Sequence, residues 1–478
     1  MTYGKFSAPP PVAPNPTHFP KLNGVVTVEN CYYYLSFLER FWTFMDTMTL
    51  QEQRHYLARA EVRYEKWIHN HFSPMLVPPL DIAFMWHVHK LSPFRCYEDL
   101  VLRLPCKKLF DDPLPLYDLF KNEDLTPNDL KRWKQTFGED EPYHLTNQNM
   151  YSGTFQRPCY RCRQVIELPW SNYYDYRFGA NHTRFPHDCA PVDGINFWDV
   201  ARMKLESDLM NGPVVAGTLL NPNGSVKVTL NKMIAKIRPI QVIIPQNEMD
   251  YAYERQIQEQ LKFLGPDYEY DANELLYAIR TSYQGNPSPF SNDLIQAVAR
   301  QRKFYSNITS IHWQYPISYM SAIRRYHDHL ALIKMHPNHK AIPTIEIDVA
   351  FHTHMMDSLR YHKFTIHRVG KLINHDDDIP ESSIRKHLSE WQTLWSNLQH
   401  RSIEHRYKFT KTRATDELVE GTLKVTPSIF PTTYQPGMVR IRQGKEARNL
   451  YTTLNEELVR SNNTKATMIS IHSKGKEK

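Results

Sequence analysis

Tyr34, Phe37, Leu38, Phe41 and Phe44 recur at three- and four-residue steps. That spacing places them on one face of a helix. Leu57 through Ile68 continues the pattern, and the prolines at 74, 78 and 79 end that helix and open the next. Thr126-Pro127-Asn128-Asp129-Leu130 predicts a further helix start, with Thr126 as cap and Pro127 in the first turn. From 146 to 225 Gly, Pro, Asn and Tyr become frequent, which predicts short strands. Trp198 to Met210 reads as a helix closing this stretch, Asn221–Gly224 as a turn, and Val226–Leu230 and Ile240–Ile244 as strands. Residues 251–410 are helical again, with Ser291 capping a helix that carries Leu294, Ala297, Val298 and Gln301.

Within this pattern one segment occurs twice. Pro78-Pro79-Leu80-Asp81-Ile82-Ala83-Phe84-Met85-Trp86-His87-Val88-His89 aligns without a gap to Pro343-Thr344-Ile345-Glu346-Ile347-Asp348-Val349-Ala350-Phe351-His352-Thr353-His354. Arg63-Tyr64 and Arg325-Tyr326 precede the two copies, and Arg95 and Arg360 follow in step. Such self-similarity predicts duplicated structural units, too widely spaced for a solenoid. The fold expected is mainly α, two related helical repeats packed together with a small zinc-ribbon-like β insert between them. The divisions expected are a Pro-rich arm over 1–22, a first helical repeat over 23–145, the insert with short strands over 146–250, a second repeat over 251–410 and a variable tail over 411–478.

Composition narrows the classes. The formal charge of +7 is modest for 478 residues, and the basic residues are scattered, which argues against a nucleic-acid binder. No run of about 18 apolar residues is available for a membrane helix. The first residues lack the apolar core of a secretory signal, and the six cysteines form no dense framework. A cytoplasmic location, with the nucleus as the second choice, is the expectation.

The histidine pairs follow from the helical reading. Asp81 suits the positive end of a helix. On a helix His87 and His89 stand about 200° apart and cannot grip one ion together. A composite site remains, in which two such helices bring one His from each copy together, for example His89 and His354, with Asp81 or Asp348 nearby. Two imidazoles and a carboxylate suit a non-haem iron or zinc. The competing reading is structural: Asp81, Trp86, His87, His89, Glu346, Asp348, His352 and His354 as core members and their partners.

Cys159-Tyr160-Arg161-Cys162 is a Cys-x2-Cys knuckle, followed by His187 and Cys189. Three thiolates and an imidazole fill a tetrahedral zinc shell. His182 competes with His187 for the fourth place. The alternative is a ribbon whose thiols are buried and idle. There is no phosphate-binding glycine loop, dinucleotide fingerprint or nucleophile elbow.

Pro78-x-x-Asp81 leading to Trp86-His87-x-His89-x-Leu91-x-Pro93 resembles the glycine-rich-domain-containing-protein-like family of plants and fungi, as does Pro343-x-x-Glu346-x-Asp348 leading to His352-Thr353-His354. Asn286-Pro287-Ser288-Pro289-Phe290-Ser291-x-Asp293-Leu294 resembles a further signature of that family, and Gly217-Thr218-Leu219-Leu220 and Asn374-His375-Asp376-Asp377 are similar to segments of its fungal members. The chain departs from the family pattern in having 16 glycines in all and so no glycine-rich segment, in Phe351 where Trp is usual, in Asp357-Ser358 where a proline step is usual, and in having no Cys after Cys189. The resemblance implies a domain of unknown biochemical activity, with plant relatives linked to growth and stress responses. Three functions are weighed: an intracellular interaction or scaffold protein with protein partners; a metal-dependent, oxygenase-like enzyme using the composite His site; and an RNA-associated protein.

Overall fold

The computed structural model describes residues 20–396, apart from 21, 71, 73, 105, 179–183, 212–213, 218–219, 222, 238–251, 284, 310, 312, 314–316 and 376–386. The arm over 1–22 (Pro20 and Leu22 apart), the expected strand Ile240–Ile244, His182 and the tail over 411–478 lie outside the described residues.

Helices α1 (Val28–Met45), α2 (Leu50–His69) and α3 (Leu80–Lys90) open the fold. The stripe of α1 is buried as its spacing requires, with Tyr34, Phe37, Leu38 and Phe41 at most 2% exposed. Thr49 and Glu52 form a reciprocal cap at the start of α2. Short helices α4 (Pro93–Tyr97), α5 (Lys107–Asp111) and α6 (Leu116–Lys121) follow, with a π-helical turn at Glu98–Arg103. Helix α7 (Pro127–Phe137) starts where the sequence predicts, Thr126 Oγ1 accepting from Asp129 N at 3.2 Å.

Next come two antiparallel hairpins, β1 (Thr154–Pro158) with β2 (Val165–Pro169), and β3 (Phe185–His187) with β4 (Ala190–Ile195), separated by α8 (Trp170–Arg177). Helices α9 (Phe197–Asn211), α10 (Val228–Ile237), α11 (Ala252–Lys262) and α12 (Glu269–Tyr283) lead to α13 (Leu294–Thr309), α14 (Ile317–Met335), α15 (Ile345–Met355) and α16 (Ser358–Val369). The protein is thus mainly helical, and its described sheets are these two hairpins.

Two sequence expectations are corrected. Val226–Leu230 is not a strand: from Val228 the chain is helical, because Leu230, Met233, Ile234 and Ile237 recur at helical spacing and are all buried. Ser291 is not the cap of α13. Asp293 takes that role, its Oδ1 accepting from Gln296 N at 3.1 Å, while Ser291 turns to Asp99.

Two cores result. One joins α1–α3, both hairpins, the start of α9 and α13–α16; the other is built by the rest of α9 with α10–α12. Arg103 ties them, reaching Asp99 on one side and Asp208 on the other, where Tyr283 also donates. Gly217 makes a second tie. Its amide donates to the buried Glu98 carboxylate at 2.6 Å, and its φ of +89° with Ala278 packed against it leaves room for no side chain.

Candidate functional site

Both His-x-His segments are helical, α3 and α15, and both lie in the larger core. Their four imidazoles are almost fully buried. The matching Tyr makes the same bond in each copy. Tyr64 Oη lies 3.0 Å from Nδ1 of His89, and Tyr326 Oη lies 3.0 Å from Nδ1 of His354. The matching Arg turns to the matching acid, Arg63 closely to Asp81 at 2.6 Å and Arg325 loosely to Glu346 at 3.9 Å. Trp86 is buried with the Lys90 ammonium 4.9 Å from its ring.

Beyond these shared bonds the copies diverge. Nε2 of His89 sits 3.2 Å from Asp99, whose carboxylate also binds Arg103 and the amide and hydroxyl of Ser291. Burial alone would raise the Asp99 pKa, but Arg103, His89 and Ser291 outweigh it and hold the group below the usual carboxylate range. Phe290 closes this corner, its ring 5.3 Å from that of His89. The Asn286–Ser291 motif is therefore a structural hub for the first copy. Lys204, Arg157 and Arg103 also donate to its carbonyls. Among the described residues His354 has no such acid. Its Nε2 finds no hydrogen-bond partner among the described residues, and burial lowers its pKa to about 3.

His89 and His354 are not the pair brought together. The pair is His87 and His352, joined through Tyr34 of α1. The Tyr34 hydroxyl lies 2.9 Å from Nε2 of His87 and 2.9 Å from Nδ1 of His352. Asp81 belongs to Arg63 and takes no part. Asp348 does, because Nε2 of His352 faces it and His375. Nothing in the sequence pairs Tyr34 with either copy; its place in the α1 stripe marks it as buried and no more.

The cysteine cluster assembles at the tips of the two hairpins. Cys159 follows β1, its amide donating to Gln164 O and its carbonyl accepting from Arg163 N, with Arg163 in the left-handed region at φ 64°. That tight turn presents Cys159 and Cys162. His187 and Cys189 sit at the turn between β3 and β4. The ligand atoms of all four lie within 4.8 Å of one another. Cys159 Sγ is 4.0 Å from Cys189 Sγ, and Cys162 Sγ is 3.7 Å from Nε2 of His187. Burial, then the crowding by Cys162 and Cys159, pushes the Cys189 thiol up to about 12. Cys159 is buried against Met203 of α9, whereas Cys162 is exposed.

The family model described as "Glycine-rich domain-containing protein-like" matches residues 35–99 and 227–363. Those regions hold both His-x-His helices, Asp99 and the Asn286–Ser291 loop; the cysteine cluster and His375 lie outside them. Glycine-rich domain-containing protein 1 of Arabidopsis thaliana is 34% identical over 89 residues, which is 18% of this chain and 11% of that protein. Glycine-rich domain-containing protein 2 of the same plant is 31% identical over 100 residues, 20% of this chain and 13% of that protein. The match therefore spans a small part of the length of these relatives. No solved structure matches the chain.

Proposed function

The chain belongs to the glycine-rich-domain-containing-protein-like family, and on that premise we propose that it is a non-catalytic interaction scaffold whose hairpin insert is stiffened by one structural zinc. The observation that carries the scaffold reading is the outer face of the smaller core. Tyr270 and Tyr277 lie seven residues apart on α12, hence on one face, and are 71% and 69% exposed. Phe263 and Val228 of the same body are 74% and 76% exposed. Aromatic side chains such as this pair are enriched at protein–protein contacts. No described helix is long and apolar enough to cross a membrane. We place the protein inside the cell, where cysteine ligands stay reduced.

The donor set fits zinc. A tetrahedral ion with bonds of about 2.3 Å to sulfur separates its sulfurs by about 3.8 Å, close to the 4.0 Å between Cys159 and Cys189. Cys159, Cys162, Cys189 and His187 would hold it. The backbone amide of Cys189 now donates to Nδ1 of His187 at 3.1 Å. Ligation through Nε2 puts the single ring proton on Nδ1, so this contact opens when the ion enters.

The scaffold reading is tested with Tyr270→Ser/Tyr277→Ser. Size-exclusion of native host extract should show the unaltered chain in an assembly heavier than itself. The double variant should run at its own mass with an unchanged melting temperature. Identical elution of the two proteins would sink the reading.

A further inference from the structure

Asp348, His352 and His375 converge on one point. Oδ1 of Asp348 lies 3.5 Å from Nε2 of His352 and 3.4 Å from Nε2 of His375, and the two nitrogens are 3.1 Å apart. Asp348 and His352 are one turn apart on α15 and share a face. His375 comes from the segment after α16, anchored nearby by Tyr361, whose hydroxyl donates to Ile373 O at 2.8 Å.

These edges match a coordination shell. First-row divalent ions bind imidazole and carboxylate at about 2.1 Å, which sets neighbouring ligand atoms about 3.0 Å apart in an octahedron and about 3.4 Å apart in a tetrahedron. An ion at that distance from all three atoms sits to one side of their plane, and its remaining positions face away from them. Exposure rises across the cluster, from 1% at His352 to 9% at His375 and 18% at Asp348. An ion would therefore enter on the carboxylate side. Phe304 packs on the His352 ring at 4.3 Å and Phe351 on His375 at 5.5 Å, which gives the cluster apolar walls.

The remaining nitrogen of His352 is held as a metal ligand needs. A phenol has one proton to give, so Tyr34 can donate to only one of its two imidazoles. When it donates to His87, Nδ1–H of His352 donates to the Tyr34 oxygen. Nε2 then presents a lone pair to Asp348 and His375. Such a bond on the far nitrogen fixes the tautomer and ring orientation of ligating histidines. Among the described residues the first copy shows no counterpart, and Ala83 stands where the second has Asp348.

We propose that Asp348, His352 and His375 bind one first-row divalent cation, facially and independently of the cysteine cluster, with Tyr34 as the positioning residue for His352.

The test is a Co(II) titration of the full chain stripped with chelator, followed by absorption and calorimetry. One class of ion should lack the sulfur-to-cobalt charge-transfer band that thiolate ligation produces. His375→Gln and Asp348→Asn should each abolish that class while leaving any thiolate band and the melting curve as they are. Tyr34→Phe should keep the stoichiometry and weaken the same class about 10- to 100-fold. Co(II) should also protect His375 from diethyl pyrocarbonate, read by peptide mass, which decides the matter even if a variant fails to fold. The proposal is overturned if no sulfur-free class appears with Co(II) in excess, if that class survives at full strength in both variants, or if His375 is modified at the same rate with and without Co(II). Failure of the thiolate band alone would count against the zinc-stiffened insert and leave this site standing.

Discussion

The hydroxyl of Tyr34 stands 2.9 Å from Nδ1 of His352, while the equivalent His87 meets the same hydroxyl through Nε2. Two residues at matching positions of a repeated segment thus use opposite ring nitrogens on one shared partner. The difference decides what each ring offers elsewhere. His352 turns Nε2 toward Asp348 and His375, and burial, then the neighbouring His375 and His87, keep it neutral by holding its pKa well below the usual histidine value.

Tyr34→Phe removes both bonds at once and leaves two buried imidazoles short of a partner. An unsatisfied buried polar group costs about 1–3 kcal/mol, so the variant should melt several degrees lower. Urea unfolding with an unchanged midpoint would show that the shared hydroxyl contributes nothing to stability.

Deleting the two matching hydroxyls should have unequal effects. Tyr64→Phe leaves His89 its contact with Asp99, whereas Tyr326→Phe leaves His354 with no hydrogen-bond partner among the described residues. The second should cost roughly 1 kcal/mol more than the first. For the histidines themselves the order reverses. His89→Ala should destabilise more than His354→Ala, since it also removes the 3.2 Å contact with the buried Asp99 carboxylate. Chemical denaturation of the four variants checks both orders.

Acid should destabilise the protein between about pH 6.5 and pH 3. Burial lowers the folded-state pKa of His354 and of His329 to about 3. The unfolded chain takes up these protons near 6.5, so below that value it binds more protons than the folded state. Stability is then fully present above pH 6.5 and falls as pH drops through the window. His329 has neither ring nitrogen hydrogen-bonded among the described residues. His329→Leu, of similar volume, should therefore raise the melting temperature at pH 7 and flatten the acid slope. A variant that melts lower at neutral pH would show that the imidazole has a partner of its own.

Protein purified without chelator should carry one zinc on the cysteine cluster. Cys162→Ser should lose it, as should chelation. Since a metal bound only by the folded state adds its binding energy to folding, the hairpins should become protease-sensitive before the helical cores do. Elemental analysis of wild type and variant, with limited proteolysis of each, checks this. Equal zinc in the two proteins would exclude Cys162 as a ligand.

The sequence by itself determined the local structure wherever a period, a cap or a repeat was strong. The stripe of α1, the Thr126 cap and the two matched His-x-His helices all follow from spacing, since backbone geometry sorts side chains onto faces before any long-range contact forms. The Cys159–Cys162 knuckle was also legible, because its two thiols are close in sequence, whereas the β3–β4 hairpin is what brings His187 and Cys189 to it. The short run Val226–Leu230 was misread because so few residues do not separate a strand from the first turn of a helix; Met233, Ile234 and Ile237 tipped the balance. Only the tertiary structure decided what the histidines meet. Asp99 reaches His89 through the π-helical turn, Ser291 leaves its expected cap for Asp99, and Tyr34 arrives from α1 to join His87 to His352. His375 completes the cluster with Asp348 from 27 residues further along the chain. Contacts of this kind depend on how helices pack, and the matching His-x-His patterns of the two copies therefore ended in different surroundings.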